Sequence, residues 1–364
     1  MKFFFHSLKN TLITFSIGII LISCEKQTQS ENKQAMYAHY INVGQADATL
    51  LEFPCGAILI DAGSQDERYE SELINYLEAF FKRRSDLQKT LDLVIVTHSH
   101  IDHNSSLKEV MTNFTIKGYI DNGLRNSSGE ENQAWAQDTV KLLDSKYASY
   151  SYETITEGGN KKGITNSLID PINCDDIDPK ITLLSGRFDK KPESWPEDEF
   201  ENGNNHSIVV KIDFGTSSFL FTGDLEDNAL DEVVAFYGKD AGGMLDTDIY
   251  QVGHHGSFNA TNEDFLTAMT PYAAVISCGW WSSGLEGDST FNTYSYGHPR
   301  KTLVESLEAS ITTTRAMEMN VKVASSAKKF EDYTVTKRVY ATPWDNTIVV
   351  KADAKGNYTF SRNY

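Results

Sequence analysis

The chain has 364 residues, with 33 Lys and Arg against 51 Asp and Glu, so its formal net charge at pH 7 is −18. Hydrophobic residues make up 40% and charged residues 23%, which excludes an intrinsically disordered chain and suffices for a full core. The acidic balance argues against a nucleic-acid binder that relies on a basic surface, because phosphate backbones would be repelled at long range. An acidic protein with a locally cationic metal site is compatible with these numbers.

The first 23 residues have the features of a bacterial lipoprotein signal peptide. Lys2 and Lys9 flank a short N-terminal region, and residues 11–22 form an apolar run that is short for a bilayer span. The run ends in Leu21-Ile22-Ser23-Cys24, which is similar to a lipobox and predicts cleavage before Cys24. The alternative is an uncleaved N-terminal anchor that ends in a chance cysteine.

Cleavage at this point predicts an extracytoplasmic protein, lipid-anchored to the bacterial membrane through Cys24. Loss of the two lysines lowers the net charge from −18 to −20. Residues 24–35 are polar and predict a flexible tether between the lipid and the folded domain. That domain is expected to occupy residues 36–364.

β-rich and helical segments alternate along the rest of the chain. Residues 36–51 and 57–60 form β-rich runs, and the turn residues between them predict a hairpin that ends at Asp61. Apolar residues recur at helical spacing over residues 67–84. Further strands are predicted over residues 91–97, 116–120, 181–184, 207–214, 218–222, 248–252, 273–277, 321–323, 334–340, 347–351 and 358–360. Further helices are predicted over residues 130–147, 225–237, 262–269 and 299–308.

The three cysteines after Cys24 are Cys55, Cys174 and Cys278. Their number is odd, so at least one is expected to stay free or to pair outside the chain. None belongs to a Cys-x-x-Cys pair, and their spacing leaves the pairing open.

A dense histidine cluster follows the predicted strand at 91–97. It contains His98, His100, Asp102 and His103, which are four potential metal ligands within six residues. His98 and His100 are two residues apart, so in extended backbone their side chains point the same way. Imidazole suits zinc, and Asp102 and His103 are placed to hold a second ion.

Four more elements carry candidate ligands or catalytic groups. His206 precedes a predicted strand, Asp224 follows one after a glycine, and His254 and His255 follow another in a Gly-His-His-Gly-Ser segment. His298 lies further along in Tyr-Gly-His-Pro. Taken singly, His206 would be interpreted as a loop histidine and Gly223-Asp224 as a turn.

The order of these motifs resembles the metallo-β-lactamase superfamily. The chain looks most like the soluble domain of ComEC-type competence proteins, which adds the segment 42–48 (NVGQADA) and the segment 59–63 (LIDAG) to the match. The resemblance covers roughly residues 36–364. It implies an αββα sandwich, in which two mixed sheets are flanked by helices and a dinuclear metal site lies at one edge.

The resemblance also implies roles for single residues. His98, His100 and His206 would hold a first metal ion; Asp102, His103 and His255 would hold a second, and Asp224 would bridge them. Asp61 would orient a metal-bound histidine, with a simple strand-end turn as the alternative. His254 would hydrogen-bond substrate or shuttle a proton, although the motif allows the two neighbouring histidines to exchange roles. His298 would contact an anionic group.

The chain departs from the competence pattern at several points. Asn42 stands where those proteins usually carry Asp, and Ala46 replaces a usual Gly. His206 occupies a position that is often not histidine in that branch. Those proteins span the membrane several times, whereas this sequence offers the soluble part and a lipid signal. Residues 122–205 look expanded, and loops there would cover the site.

These features favour a hydrolase with two divalent ions, most consistent with zinc, with manganese or iron as alternatives. Such ions can activate a shared hydroxide near neutral pH. The expected substrate is a phosphodiester: a small phosphoester or an envelope polymer, with nucleic acid disfavoured by the charge. A carboxyl-ester or lactone hydrolase and a non-catalytic surface binding protein are the alternatives. The Trp280-Trp281 pair could stack on a base, enclose a quaternary amine, or pack a loop.

Overall fold

The computed structural model describes residues 34–125, 127–143, 145–240, 242–282 and 292–362. The predicted signal peptide and the tether up to residue 33 lie outside these ranges. The strands are β1 (Ala35–Tyr40), β2 (Thr49–Phe53), β3 (Gly56–Ile60), β4 (Thr90–Leu91), β5 (Leu93–Val96), β6 (Thr115–Ile116), β7 (Gly118–Asp121), β8 (Lys146–Ser149), β9 (Lys180–Ser185), β10 (Val209–Phe214), β11 (Ser217–Phe221), β12 (Ile249–Val252), β13 (Ala273–Ile276), β14 (Thr314–Ser326), β15 (Lys329–Lys337), β16 (Val339–Ala341), β17 (Ile348–Asp353) and β18 (Tyr358–Arg362).

The α-helices interleave with these strands. They are α1 (Glu67–Arg83), α2 (Ile101–Asn104), α3 (Leu107–Asn113), α4 (Glu130–Leu142), α5 (Tyr152–Ile155), α6 (Glu197–Glu201), α7 (Asp227–Tyr237), α8 (Glu263–Met269), α9 (Thr293–Tyr296), α10 (Lys301–Ser310) and α11 (Thr342–Asp345). Within the described ranges, no helix is both long and apolar enough to cross a bilayer.

Two large mixed sheets organise the fold. The first has the strand order β18-β17-β1-β2-β3-β5-β7-β8, and the second has the order β16-β13-β12-β11-β10-β9. Strands β3, β5 and β7 run parallel to one another, and so do β11, β12 and β13. The carboxyl ends of these parallel strands therefore meet at one edge, where loops can present side chains to a common site.

The alternation of side chains along each strand explains the layers. Leu51 and Ile58 point into the core between the two sheets, whereas their neighbours Leu50 and Leu59 point to the opposite face and pack against α1. Leu73 and Leu77 of α1 are fully buried there. A third core lies between the second sheet and helices α7, α8 and α10. The predicted αββα sandwich is confirmed.

Local differences from the predicted elements have simple causes. The predicted helix over 130–147 ends at Leu142, and the chain then enters β8 beside β7. The predicted strand 321–323 and the first part of the predicted strand 334–340 belong to a long antiparallel ribbon, β14–β15, which pairs with neither large sheet. The end of the second predicted strand, from Val339 onward, instead lies in β16 of the second sheet. Residues 41–48, predicted as part of one strand, instead form the loop between β1 and β2.

One disulfide joins Cys55 to Cys174, which are 119 residues apart in the chain. It ties the β2–β3 turn to the segment that precedes β9. Cys278 is free and buried. The expectation that at least one of the three cysteines stays unpaired within the chain holds for Cys278.

Candidate metal centre

The candidate ligands lie on loops at the carboxyl ends of strands from both sheets. The segment after β5 carries His98, His100, Asp102 and His103, the last two in the short helix α2. Asp224 follows β11 in the second sheet. His255 follows β12, which runs parallel to β11. The sheet edge therefore assembles residues that are more than 150 positions apart in the sequence, as the salt bridge between Asp102 and His255 shows.

One group of donors consists of His98, His100 and Asp224. Nε2 of His98 lies 3.0 Å from Nδ1 of His100 and 3.8 Å from Oδ2 of Asp224. The donor atoms of all three lie within 4.8 Å of one another. His98 and Asp224 are buried, and His100 is partly exposed.

A second group consists of Asp102, His103, Asp224 and His255. Nε2 of His103 lies 3.1 Å from Oδ1 of Asp224, and Nε2 of His255 lies 3.1 Å from Oδ2 of Asp102. Oδ2 of Asp224 is 3.7 Å from the same His255 nitrogen. Asp224 is common to both groups, which is the position expected of a bridging ligand.

The residues present fit a pair of metal ions. Nε2 of the buried His103 has no hydrogen-bond partner in the described structure, although a carboxylate oxygen lies 3.1 Å away. A buried polar atom without a partner costs free energy, so this lone pair is suited to a cation. Imidazole nitrogens with carboxylate oxygens form a donor set that zinc, iron and manganese accept.

The loops around the donors fix their orientation. Nδ1 of His103 donates to Oδ2 of Asp61 at 2.8 Å, and the same carboxylate accepts from the backbone N–H of Thr97 at 2.7 Å. Nδ1 of His255 donates to the carbonyl of Ser277 at 2.9 Å. Each bond selects the tautomer that leaves Nε2 free for the centre. Asp61 is thus a supporting residue, with its backbone in the left-handed region at φ 58°.

Charge and burial set the protonation of the cluster before a metal ion binds. Burial lowers the pKa of His98 well below its usual range, and the neighbouring His103 lowers it further. Burial opposes charge on His255 too, but the carboxylates of Asp224 and Asp102 raise its pKa to about 9. Burial likewise opposes charge on His103, yet Asp224 and Asp61 raise its pKa well above normal. Metal binding must therefore displace protons from both.

The structure does not place the predicted ligand His206 among the donor atoms. Its Nδ1 accepts from the backbone N–H of Phe188 at 3.0 Å, and its Nε2 donates to the carbonyl of Phe200 at 2.7 Å. Both ring nitrogens are therefore taken by main-chain groups. His206 belongs to neither donor group. It links the segment after β9, which contains Phe188, to helix α6, which contains Phe200.

Asn204, two residues before His206, contacts residues that border the centre. Its Nδ2 donates to Glu226 at 2.7 Å and lies 3.4 Å from Nε2 of His254. Gly203 beside it approaches the His100 ring so closely that a Cβ there would lie 3.2 Å from Nε2 of His100. The segment that was predicted to supply a histidine ligand therefore contacts the surroundings of the centre through the side chain of Asn204 and the backbone of Gly203.

His254 stands beside the donor groups rather than within them. Its Nδ1 is 3.2 Å from Oε1 of Glu226, and 22% of its side chain is exposed. Sequence reasoning missed Glu226, although it follows Asp224 by two residues. The sequence signal for Glu226 was its position, two residues after the predicted ligand Asp224.

His298 lies next to His254 and His255. The two rings are 5.7 Å apart, and the His298 ring stacks 6.2 Å from that of His255. Burial lowers the pKa of His298 well below normal, and the neighbouring His254 lowers it further. Nε2 of Gln45 lies 3.0 Å from Nδ1 of His298, so the Gly-Gln-Ala-Asp segment supports this residue.

Asp47, from the same segment, also faces the centre. Burial, and then the charge of Asp61, raise its pKa to about 7. Gln251 donates a hydrogen bond to the carboxylate of Asp47. The backbone N–H of Asp47 donates to the carbonyl of Asp102 at 3.0 Å. The motif at 42–48 therefore supports both His298 and the loop that carries Asp102.

A sequence profile described as "Metallo-beta-lactamase superfamily" matches residues 41–280, which includes every residue of the two donor groups. The chain belongs to the metallo-beta-lactamase superfamily. Within the superfamily, the chain is 23% identical over 250 residues to ComE operon protein 3 of Bacillus subtilis, covering 66% of this chain and 28% of that protein. It is 26% identical over 276 residues to Recombination protein 2 of Haemophilus influenzae, covering 73% of this chain and 27% of that protein.

The resemblance to competence proteins is therefore confirmed, and the chain spans less than a third of the length of these two relatives. Among solved structures, it is similar to the metallo-beta-lactamase fold protein YhfI from Bacillus subtilis. That match has 15% identity and a TM-score of 0.33, and covers 60% of this chain and 71% of YhfI.

Proposed function

We propose that this chain is an extracytoplasmic phosphodiesterase that depends on two divalent metal ions. The observation that carries the proposal is the pair of donor groups that share Asp224. In this arrangement His98 and His100 serve the first ion, and Asp102, His103 and His255 serve the second. When bound, a pair of such ions lowers the pKa of water and stabilises charge on the phosphoryl oxygens.

The other residues of the centre have distinct roles in the proposal. His254 holds a proton for the leaving oxygen, since its partly exposed ring borders the donor groups. Glu226, whose Oε1 lies 3.2 Å from Nδ1 of that ring, orients it. The buried His298 contacts a non-bridging oxygen of the substrate, with Gln45 holding its ring in place.

The disulfide supports the location outside the cytoplasm. Disulfides form and persist in oxidising compartments, and cytoplasmic thiols are normally kept reduced. Together with the signal at residues 21–24, the Cys55–Cys174 pair favours a chain anchored through Cys24 to the membrane. Its substrates would then be small phosphoesters or phosphodiester-containing envelope polymers. The competence and recombination relatives add nucleic acid to this range, which the net charge of −18 disfavours.

A paired assay tests the reaction class. Protein lacking residues 1–24 is loaded with zinc or manganese and given bis-p-nitrophenyl phosphate or p-nitrophenyl acetate. Turnover of the phosphodiester is expected. Turnover of the acetate alone would identify a carboxyl-ester or lactone hydrolase, and no turnover of either would favour a binding protein.

Metal content tests the site itself. Elemental analysis should give about two ions per chain. Asp224→Ala should lose at least one ion and most activity, whereas Asp138→Ala, an exposed aspartate on α4, should retain both. Near wild-type turnover in Asp224→Ala would contradict the assignment.

A further inference from the structure

A cavity of about 260 Å³ lies beside the metal centre, between the β14–β15 ribbon and the loop that follows β13. Its walls are mainly aromatic and aliphatic. Its lining residues include Trp280, Trp281, His298, Met319, Lys322 and Trp344.

The cavity borders the centre at His298. His298 lines the cavity, and its ring stacks 6.2 Å from that of the proposed ligand His255. The loop that orients His255 through the Ser277 carbonyl reaches Trp280 three residues later. A substituent on a phosphoester held at the centre would reach this cavity past His298.

The Trp280 ring offers an exposed face on which a flat group can stack. The Trp280 and Trp281 rings are 6.5 Å apart and inclined by 47°, and 51% of Trp280 is exposed. Trp344 forms part of the opposite wall and is held by a hydrogen bond from its Nε1 to the carbonyl of Lys322 at 3.2 Å. Exposed aromatic faces bind other rings by stacking.

The charges around the cavity decide against a cationic occupant. Nζ of Lys322 lies 5.7 Å from the centroid of the Trp281 ring, so a cation already occupies that site on the ring. The same ammonium group pairs with Asp332 at 2.9 Å, which leaves that carboxylate engaged. A quaternary amine would meet a like charge and a neutralised carboxylate, whereas an uncharged ring would meet neither obstacle.

We propose that this cavity is a subsite for the flat, uncharged ring of the ester group on a phosphoester substrate, with a nucleobase as the representative case. The inference rests on the proposed function for the position of the phosphoryl group. It adds the chemical class of the group next to it, and it assigns Trp280 and Trp281 to specificity.

Calorimetric titration of the zinc-loaded protein with three phosphate monoesters tests the subsite without requiring turnover. Thymidine 5′-phosphate carries an uncharged base, phosphocholine a quaternary amine, and methyl phosphate neither. Thymidine 5′-phosphate should bind about tenfold or more tightly than methyl phosphate, in line with one stacked base. Phosphocholine should show no such advantage.

The variant Trp280→Ala should remove this preference and leave the affinity for methyl phosphate unchanged. Because Trp280 is half exposed, its loss should leave the core intact, and a thermal melt checks this. Trp281→Ala tests the second wall in the same way. Trp135→Ala is the matched control, since Trp135 lies on α4 and does not line the cavity.

Equal affinities for the three ligands, tighter binding of phosphocholine, absence of binding, or an unchanged preference in Trp280→Ala would each overturn the inference. The outcome is separable from that of the phosphodiesterase assay. A Trp280-dependent preference without phosphodiester turnover would leave the subsite standing and remove the proposed function. Phosphodiester turnover without the preference would support the proposed function and overturn the subsite.

Discussion

The carboxylate of Asp61 accepts a 2.8 Å hydrogen bond from Nδ1 of His103, and this bond turns Nε2 of that ring toward the metal centre. Asp61 belongs to the turn after β3, whereas His103 lies in the short helix after β5. The bond joins adjacent parallel strands of one sheet at the point where their loops leave it. The orientation of a proposed ligand is thus built into the sheet edge.

We expect Asp61→Asn to weaken zinc binding by about 10- to 100-fold, the usual effect of losing a carboxylate that supports a ligand. Asparagine tolerates the left-handed backbone at this position, so the fold should persist. Calorimetric titration with zinc measures the change, and Asp138→Asn serves as the exposed control. Unaltered zinc affinity would mean that the Asp61–His103 bond does not support the centre.

Removal of the imidazole of His254 should slow turnover by about 10²- to 10⁴-fold, the range for a lost general acid or base. Glu226→Gln should slow it less, because the ring remains while its orienting charge is gone. Both variants should keep two metal ions. A loss of metal from His254→Ala would show that this histidine is a ligand, contrary to its position outside both donor groups.

For His206→Ala we predict full metal content and reduced stability. The substitution leaves the N–H of Phe188 and the carbonyl of Phe200 without their partner. An unsatisfied buried group costs roughly 1–3 kcal/mol, which urea denaturation can detect. Loss of one ion per chain would restore the earlier expectation that His206 is a ligand.

We expect a cluster of charged groups around the buried Glu52, beside α1, to determine how the free energy of unfolding changes at acid pH. Burial alone would raise the pKa of Glu52, but hydrogen bonds from His39 and Arg83 lower it well below its usual range. Arg84 adds an ion pair at 2.8 Å. Since the folded pKa lies below the unfolded value of about 4.3, this stabilisation is present above that pH. It is lost as the pH falls further toward the folded pKa.

Glu52→Gln should therefore lower the free energy of unfolding at pH 7 by roughly 3 kcal/mol, the scale of a broken buried ion pair. The difference from the wild type should shrink below about pH 4. Denaturant unfolding at a series of pH values measures both effects. A difference that is constant with pH would show that the carboxylate charge is not the cause.

Much of the centre could be predicted because its ligands lie within a few residues of strand ends. The apolar run of β5 followed by His98 and His100 carries both the strand and the donor pair. The same holds for β11 and Asp224. For such residues, the local pattern already determines the direction in which the chain presents them.

The remaining features depend on contacts that no local pattern encodes. The two ring nitrogens of His206 bond to backbone groups that lie 18 and 6 residues away in the chain. The residues next to His206 in the sequence give no indication of these bonds. Cys55 finds Cys174 across 119 residues. The predicted strand 321–323 covers only part of the 13-residue β14, although apolar and polar residues alternate over residues 317–323 (MEMNVKV).

The β14–β15 ribbon forms one wall of the proposed ring subsite and is separate from the segments that carry the proposed metal ligands. Val321, Val323 and Val335 bury one of its faces in the core, while Met319 and Lys322 line the cavity. None of the proposed metal ligands lies on it. Changes in the ribbon could therefore accumulate during evolution, and alter which ester groups are accepted, while the ligand-bearing loops stay under separate selection.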